Sequence, residues 1–302
     1  MPATNVETLT NPRDSLPNVY VNVTARELDF VTRFGQNWDA LREVLGVMRP
    51  IAKQAGTQLK SYTASVTLED GDVDPGHVIP YSKATITEVG HEDLTLQKYA
   101  KAVPVEDVDK YGVEIAVEKS DEAFLNELQS TVMDDFYDKL TGNASALTGS
   151  YATFQMAVSM AIGKVQDKFK KMHKNISSVV VFVNTLDFYA YLGGAEITVQ
   201  NLFGLQYIKN FLGADTVILS SEIESGKVIA IPADNLVLYY VDPSTEFAKL
   251  GLVYTTDGDT NLIGFHAQGN YGTAVGESFA LMGMKLWYEY ADGVAITTIT
   301  GA

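Results

Sequence analysis

The sequence predicts an α+β fold, built from an extended hairpin, one long helix and a strand-rich remainder. Three observations predict it. Two strand-like patterns flank an acidic tip over residues 58–90. A third strand pattern over 94–105 follows at once, and then one amphipathic helix over 120–140. The second half mixes helices and strands without regular strand–helix–strand alternation, which favours α+β over a parallel α/β arrangement. A long hairpin is not stable alone and must lie on something. A neighbouring copy of the same chain is the expected support.

Residues 1–25 are polar, contain Pro2, Pro12 and Pro17, and read as an extended arm. From Arg26 to Ala55 the apolar residues Leu28, Val31, Phe34, Trp38, Leu41, Val44 and Leu45 fall at helical spacing, weakened at Gly35 and broken at Pro50. In the hairpin, Leu59, Tyr62 and Val66, then Val78, Ile79, Ala84, Ile86 and Val89, carry the β pattern. Between them, Asp70-Gly71 and Pro75-Gly76 are turn dipeptides, because glycine supplies positive φ and proline fixes its own φ. Glu69, Asp70, Asp72 and Asp74 blunt the strand edges against unspecific pairing.

Ser120 reads as an N-cap, followed by Asp121 and Glu122 in the first turn. Phe124, Leu125, Leu128, Val132, Phe136 and Leu140 recur every three or four residues, and Gly142 supplies a left-handed stop. A second helix is expected over 151–173, with Phe154, Val158, Ala161, Ile162, Val165, Phe169 and Met172 as a packing stripe. Residues 178–183 form a continuous apolar run suited to a strand buried on both faces. A short helix is expected over 184–194, ending at Gly193-Gly194, then strands over 216–219, 227–231 and 236–241. Residues 279–290 and 294–299 read as a closing hairpin across Asp292-Gly293.

Composition narrows the function. The chain has 302 residues, 46% hydrophobic and 20% charged, enough apolar material for a core. Its net charge of −16 disfavours phosphate backbones, whose binding needs clustered Lys and Arg. The one basic run, Lys168-Phe169-Lys170-Lys171 before His173 and Lys174, ends the second expected helix, where cations complement the helix dipole. With no cysteine, disulfides, thiolate metal sites and cysteine nucleophiles are excluded. Met1-Pro2-Ala3-Thr4-Asn5 has neither the basic nor the apolar region of a secretory leader. The longest apolar runs fall far short of the ~20 residues of a membrane span, so a soluble chain is expected.

Catalytic and cofactor patterns are missing. Gly163-Lys164 and Gly226-Lys227 lack the rest of a phosphate loop, and His91-Glu92 has no second histidine one turn on. The four histidines, His77, His91, His173 and His266, are far apart in sequence and read as surface or loop residues. Asp70, Asp72 and Asp74 have alternate-position calcium spacing, but Pro75 stands where the loop needs glycine and Tyr81 where it needs glutamate. Asp257, Asp259 and Asn261 fail in the same way at Leu262 and Gln268. No catalytic, cofactor-binding or metal-binding residue is assigned.

The order of these elements, including the phrase Leu96-Gln97-Lys98-Tyr99-Ala100-Lys101-Ala102-Val103-Pro104-Val105, resembles the major capsid proteins of tailed bacteriophages, the HK97-like fold. The resemblance covers most of the chain and lies in architecture, not in a catalytic fingerprint. It implies an N-terminal arm and helical lead-in over 1–57, an E-loop hairpin over 58–90 and a peripheral domain with a spine helix over 91–149. An axial domain over 150–245 and strands returning to the peripheral domain over 246–302 follow. It further implies a head protein whose hexamers and pentamers close an icosahedral shell around double-stranded DNA that is not specifically bound. The place of such a protein is the virion, after assembly in the host cytoplasm. Its implied partners are further copies of itself, a separate scaffolding protein, a portal protein and, where present, decoration proteins, with no membrane. A separate scaffold, or a processed form, is expected because the chain starts at a short arm. The inter-subunit contact residues expected in the hairpin are Lys60, Glu69, Asp70, Gly71, Asp72, Asp74, Pro75, Gly76 and Lys83. Some relatives cross-link through Lys and Asn, but no partner for Lys60 or Lys83 is identified. An encapsulin-like nanocompartment shell shares the fold and stays open as an alternative, as do a tail or surface-layer protein and an enzyme with an unrecognised site.

Overall fold

The computed structural model describes residues 17–46, 50–74, 76–193, 199–202, 205–244, 251–258 and 261–301, without the side chains of 17–24, 64, 65 and 202. The chain forms two compact units.

The first unit combines the described residues of Met1–Gln36 with those of Leu96–Leu125 and Asp242–Gly283. Helix α1 (Pro17–Leu45) starts at a proline, whose fixed φ and missing N–H suit a first helical turn. Residues 17–25 are therefore helical, not an extended arm, and residues 1–16 of the expected arm lie outside the described residues. Gly35 does not interrupt α1. Val31, Phe34, Trp38, Leu41 and Leu45 keep one side of the helix buried through it, which outweighs the ~1 kcal/mol a mid-helix glycine costs.

Strands β4 (Gln97–Pro104), β12 (Thr255–Thr256), β13 (Ile263–Asn270) and β14 (Val275–Met282) make an antiparallel sheet in the order β12-β13-β14-β4. Phe30 of α1 stacks on Phe265 of β13 with ring centroids 4.1 Å apart. The buried Glu27 carboxylate accepts from the Ala267 amide and the Thr255 hydroxyl, both at 2.6 Å, and lies 3.3 Å from His266 Nδ1. His266 is thus a strand residue facing a carboxylate, not a loop residue. Arg26 grips Asp121 through two bonds of 2.5 and 2.7 Å, and Lys101 bonds the same carboxylate.

After β4 come helix α2 (Val105–Tyr111), a π-helical stretch Glu114–Lys119 and helix α3 (Ser120–Thr141). Ser120 is not an N-cap. Its backbone is already helical, and its hydroxyl donates to the Val117 carbonyl at 2.9 Å. The helical residues before it have already turned the chain.

The second unit combines the described residues of Asn37–Thr95, Asn126–Val241 and Met284–Ala302. Its main sheet has seven strands: β5 (Leu147–Tyr151), β16 (Ala295–Ile299), β10 (Lys227–Pro232), β6 (Val179–Asn184), β9 (Ala214–Ser220), β8 (Leu205–Phe211) and β7 (Gln200–Leu202), in that spatial order. Helix α4 (Phe154–Lys171) packs Ala157, Val158, Ala161, Val165 and Phe169 in one core with Val179, Val181 and Val183. Phe182 points the other way and meets Phe136 and Tyr137 of α3 at 5.8 and 5.7 Å. Helices therefore cover both faces of β6, which is why all six of its residues are buried.

The helix expected over 151–173 is shorter at both ends. Tyr151 completes β5, the Thr153 hydroxyl caps α4 by accepting from the Met156 amide, and His173 turns left-handed at φ 54°. The end of α3 also differs, since Gly142 keeps negative φ and its amide donates to the Asp138 carbonyl. Helix α5 (Thr185–Leu192) has an Asn184 cap and a left-handed Gly193 stop, while Gly194 lies outside the described residues.

A three-stranded sheet has the order β1-β11-β15, from β1 (Ile51–Lys53), β11 (Leu236–Val241) and β15 (Met284–Tyr288). The expected closing hairpin does not form. Strand β15 pairs with β11, whereas β16 pairs with β10 and β5, and the turn signal Asp292-Gly293 lies in a 3-10 turn between two different sheets. Gly293 is required by packing: a Cβ there would lie 2.7 Å from Phe169 Cε2. Among the described residues, no helix is long and apolar enough to cross a membrane.

The long hairpin consists of β2 (Thr57–Thr67) and β3 (Lys83–Leu94). The second strand begins at Lys83, later than Val78, and continues past Gly90 to Leu94. Val78 and Ile79, despite their β propensity, have no strand opposite them.

Candidate assembly surface

The hairpin has a fixed root and an uncovered outer half. At the root, Leu59 and Leu94 are buried. The buried Ser61 hydroxyl donates to the Tyr288 carbonyl at 2.7 Å, and the Tyr62 amide donates to the Glu289 carbonyl at 2.8 Å. Glu92 of β3 bonds Lys285 and lies 2.5 Å from Lys139 of α3, which also pairs with Asp135 at 2.5 Å. Burial pushes the Lys285 ammonium below its ordinary range, so a carboxylate partner is what keeps a charge tolerable there. These contacts bind the root to α3 and β15.

Just beyond the root, Ser61 faces Gly90 while Tyr62 faces Glu88, leaving Val89 as an extra residue. Such a bulge bends and twists the strands. From there outward the register gives the hairpin two unlike faces. Tyr62, Val66, Ala84, Ile86 and Glu88 share one face, and Thr63, Thr67, Lys83, Thr85 and Thr87 share the other. Neither face is covered: Val66 is 65% exposed and Ile86 70%. Leu68, Val78, Ile79 and Tyr81 continue the uncovered apolar surface toward the tip.

The residues expected as contacts fall in different places. Glu69, Asp70, Gly71, Asp72, Asp74 and Gly76 gather at the exposed tip, and Pro75 lies outside the described residues. The tip is shaped by the Asp72 amide donating to Asp70 Oδ1 at 3.0 Å, the Glu69 amide to the Ser82 hydroxyl at 3.2 Å, and φ +90° at Gly76. Lys83 starts β3 opposite Thr67. Lys60 is apart from all of these, at the root, paired with Glu88 at 2.8 Å on the facing strand. That hydrogen bond raises the Lys60 pKa and lowers that of Glu88. The sequence reading missed the uncovered Leu68, Val66, Ile86 and Tyr81 as surface. Val66 and Ile86 alternate as strand residues should, but only the fold shows that both are left exposed. Among the described residues, no group of three or more His, Asp and Glu could hold a metal ion.

No family model matches the sequence, and no curated protein sequence matches it. Solved structures do. The capsid asymmetric unit of cyanophage A-1(L) aligns with a TM-score of 0.54 at 10% identity, over 87% of this chain and 93% of that one. Mycobacterium phage Che8 aligns at 0.49 with 16% identity over 82% and 86%, and the holo-SrpI encapsulin complex from Synechococcus elongatus at 0.47 with 10% identity over 85% and 86%. The likeness to the cyanophage capsid is one of fold, in keeping with the mixed sheets, the α3 helix and the projecting hairpin, and the chain has the HK97-like capsid fold.

Proposed function

We propose that this chain is the major head protein of a tailed bacteriophage, assembling through its hairpin into hexamers and pentamers that close a shell around double-stranded DNA. The observation that carries the reading is the outer hairpin, a two-faced ribbon with Val66, Leu68, Val78, Ile79, Tyr81 and Ile86 all largely exposed. A monomeric protein rarely leaves so many large apolar side chains of one hairpin uncovered. At about 3.3 Å per residue, a strand of β2's length also reaches on the order of 30 Å, far enough to lie on a second copy. In this reading the hairpin is the E-loop, α3 the spine helix and β4 and β14 strands of the peripheral domain, while α4 and strands β6–β10 belong to the axial domain. Strand β16, expected to return to the peripheral domain, instead pairs with β10 and β5. The wall is non-enzymatic, and its acidity leaves the DNA held by confinement. A scaffolding protein and a portal complete the head in the host cytoplasm.

The test is expression of the chain alone and with its neighbouring genes, followed by negative-stain electron microscopy. Closed shells with rings of six and five are expected, containing double-stranded DNA when the packaging genes are present. A single small oligomer under both conditions refutes the shell. Shells that retain a protein cargo and never DNA replace the phage head with a nanocompartment.

A further inference from the structure

The hairpin tip and the end of α4 carry opposite charge, and among the described residues neither is fully neutralised. Residues 69–76 carry four carboxylates and no lysine or arginine, a net −4. Among the described residues, Glu69, Asp70, Asp72 and Asp74 make no ion pair. Residues 164–174 carry five lysines against one aspartate, a net +4, in a chain whose total is −16. Two of these lysines are satisfied, Lys168 by Asp292 at 2.5 Å and Lys171 by Asp167 at 2.6 Å. Lys170 and Lys174 have no carboxylate partner among the described residues, and Lys174 donates to the Tyr290 hydroxyl with its ammonium 3.7 Å from that ring's centroid. Both are exposed, and both line an open cleft of about 440 Å³ that also presents Gln166, Asn175 and Ser177. Asp215 at the cleft wall is already engaged, accepting from the Val179 amide at 2.7 Å. Dipole complementation explains cations at a helix end. It does not explain two that line a cleft whose one carboxylate, Asp215, is held by the Val179 amide.

Other uncovered surface fits the tip less well. Residues 105–119 expose Val105, Tyr111, Val113 and Ile115 and bury nothing, but they carry five carboxylates against two lysines. A tip of the same sign would be repelled there. We infer that the acidic tip of one copy's hairpin seats in the Lys170–Lys174 cleft of a second copy, its carboxylates accepting from the two ammonium groups. The inference rests on the hairpin being the assembly element and names the surface that receives it. The contact fixes register and partner choice, while the apolar outer hairpin supplies most of the buried area.

Three variants test it: K170E/K174E, D70K/D72K and the two combined, each checked for an unchanged far-UV spectrum and melting curve. Each reversal alone should raise the concentration at which shells form by about tenfold or more, and the combination should restore it. Raising the salt should weaken wild-type assembly in the same direction. Reversals that leave assembly unchanged, or a combination as impaired as both together, overturn the inference while leaving the shell reading intact. If wild type forms no shells, the shell reading fails separately, and the contact is read directly in whatever oligomer forms. Copies of two isotopic compositions are mixed, treated with a carbodiimide and analysed by mass spectrometry. An amide between Lys170 or Lys174 of one copy and a tip carboxylate of the other supports the contact, and its absence overturns it. Duplex DNA binding by wild type that is lost in K170E/K174E, with assembly unchanged, assigns the cleft to phosphate and also overturns the inference.

Discussion

Val66 and Ile86 give the sharpest access to the role of the outer hairpin. They lie on one face, two register positions apart across the strands, and are 65% and 70% exposed. Replacing both with threonine keeps β-branched residues in the strands, so the hairpin itself should persist. In the free subunit almost nothing is lost, because these side chains are already in water. In an assembled shell each site loses the transfer of its apolar atoms, about 0.8 kcal/mol per methylene-sized group, and places a hydroxyl where it has no assigned partner. On the order of 2 kcal/mol per site follows, or about 4 kcal/mol for the pair. At 1.4 kcal/mol per tenfold, the concentration needed for assembly should rise roughly a thousandfold. The assay is light scattering against protein concentration, with urea unfolding of the subunit as control. An unchanged assembly threshold with an unchanged subunit would show that the apolar face stays in water, and the reasoning from exposure to assembly would fail. A fall in subunit stability instead would show that the face is already covered within one chain.

Three further outcomes concern the subunit itself. Gly293→Ala puts a methyl 2.7 Å from Phe169 Cε2 and 3.0 Å from Asn235 Nδ2, and should cost about 1–3 kcal/mol by overpacking in urea unfolding. Asp121→Asn strands the Arg26 and Lys101 cations and should cost about 3 kcal/mol. Burial works to raise the Asp121 pKa, but Arg26 and Lys101 outweigh it and hold the carboxyl below its ordinary 3.8. The ion-pair contribution is therefore present at pH values above that and lost as pH falls through the depressed folded-state value, so a pH titration of stability should lose this acid limb in the variant. Asn184→Ala removes the α5 cap and the 2.6 Å bond from Nδ2 to the Ile223 carbonyl, and should cost about 2 kcal/mol in thermal unfolding.

Where burial follows from local periodicity, the sequence alone was sufficient. The stripe of α4, the apolar run of β6 and the glycine stop of α5 are written in spacing and side-chain chemistry, and the structure places them as expected. The β2–β3 hairpin was legible too, because alternation and turn residues act over short distances. Ends and pairings were less so. Ser120 and Gly142 are the right residue types for caps, yet helical residues precede Ser120 and Gly142 closes the last helical bond without turning left-handed, so the cap chemistry is not used. Asp292-Gly293 has a hairpin's turn chemistry, but β15 and β16 find better partners in β11 and β10, far away in sequence. Pairing among distant strands is decided by which faces can be buried together, and a local turn signal cannot outweigh a sheet. The same holds for the assembly surface. The acids of the tip and the lysines of α4 were visible as charge, but the pairing of Lys60 with Glu88 at the root, apart from the tip, was not. That Val66 and Ile86 are exposed, and that Lys170 and Lys174 have no carboxylate partner among the described residues, depends on residues far away in sequence, and only the tertiary structure decides it.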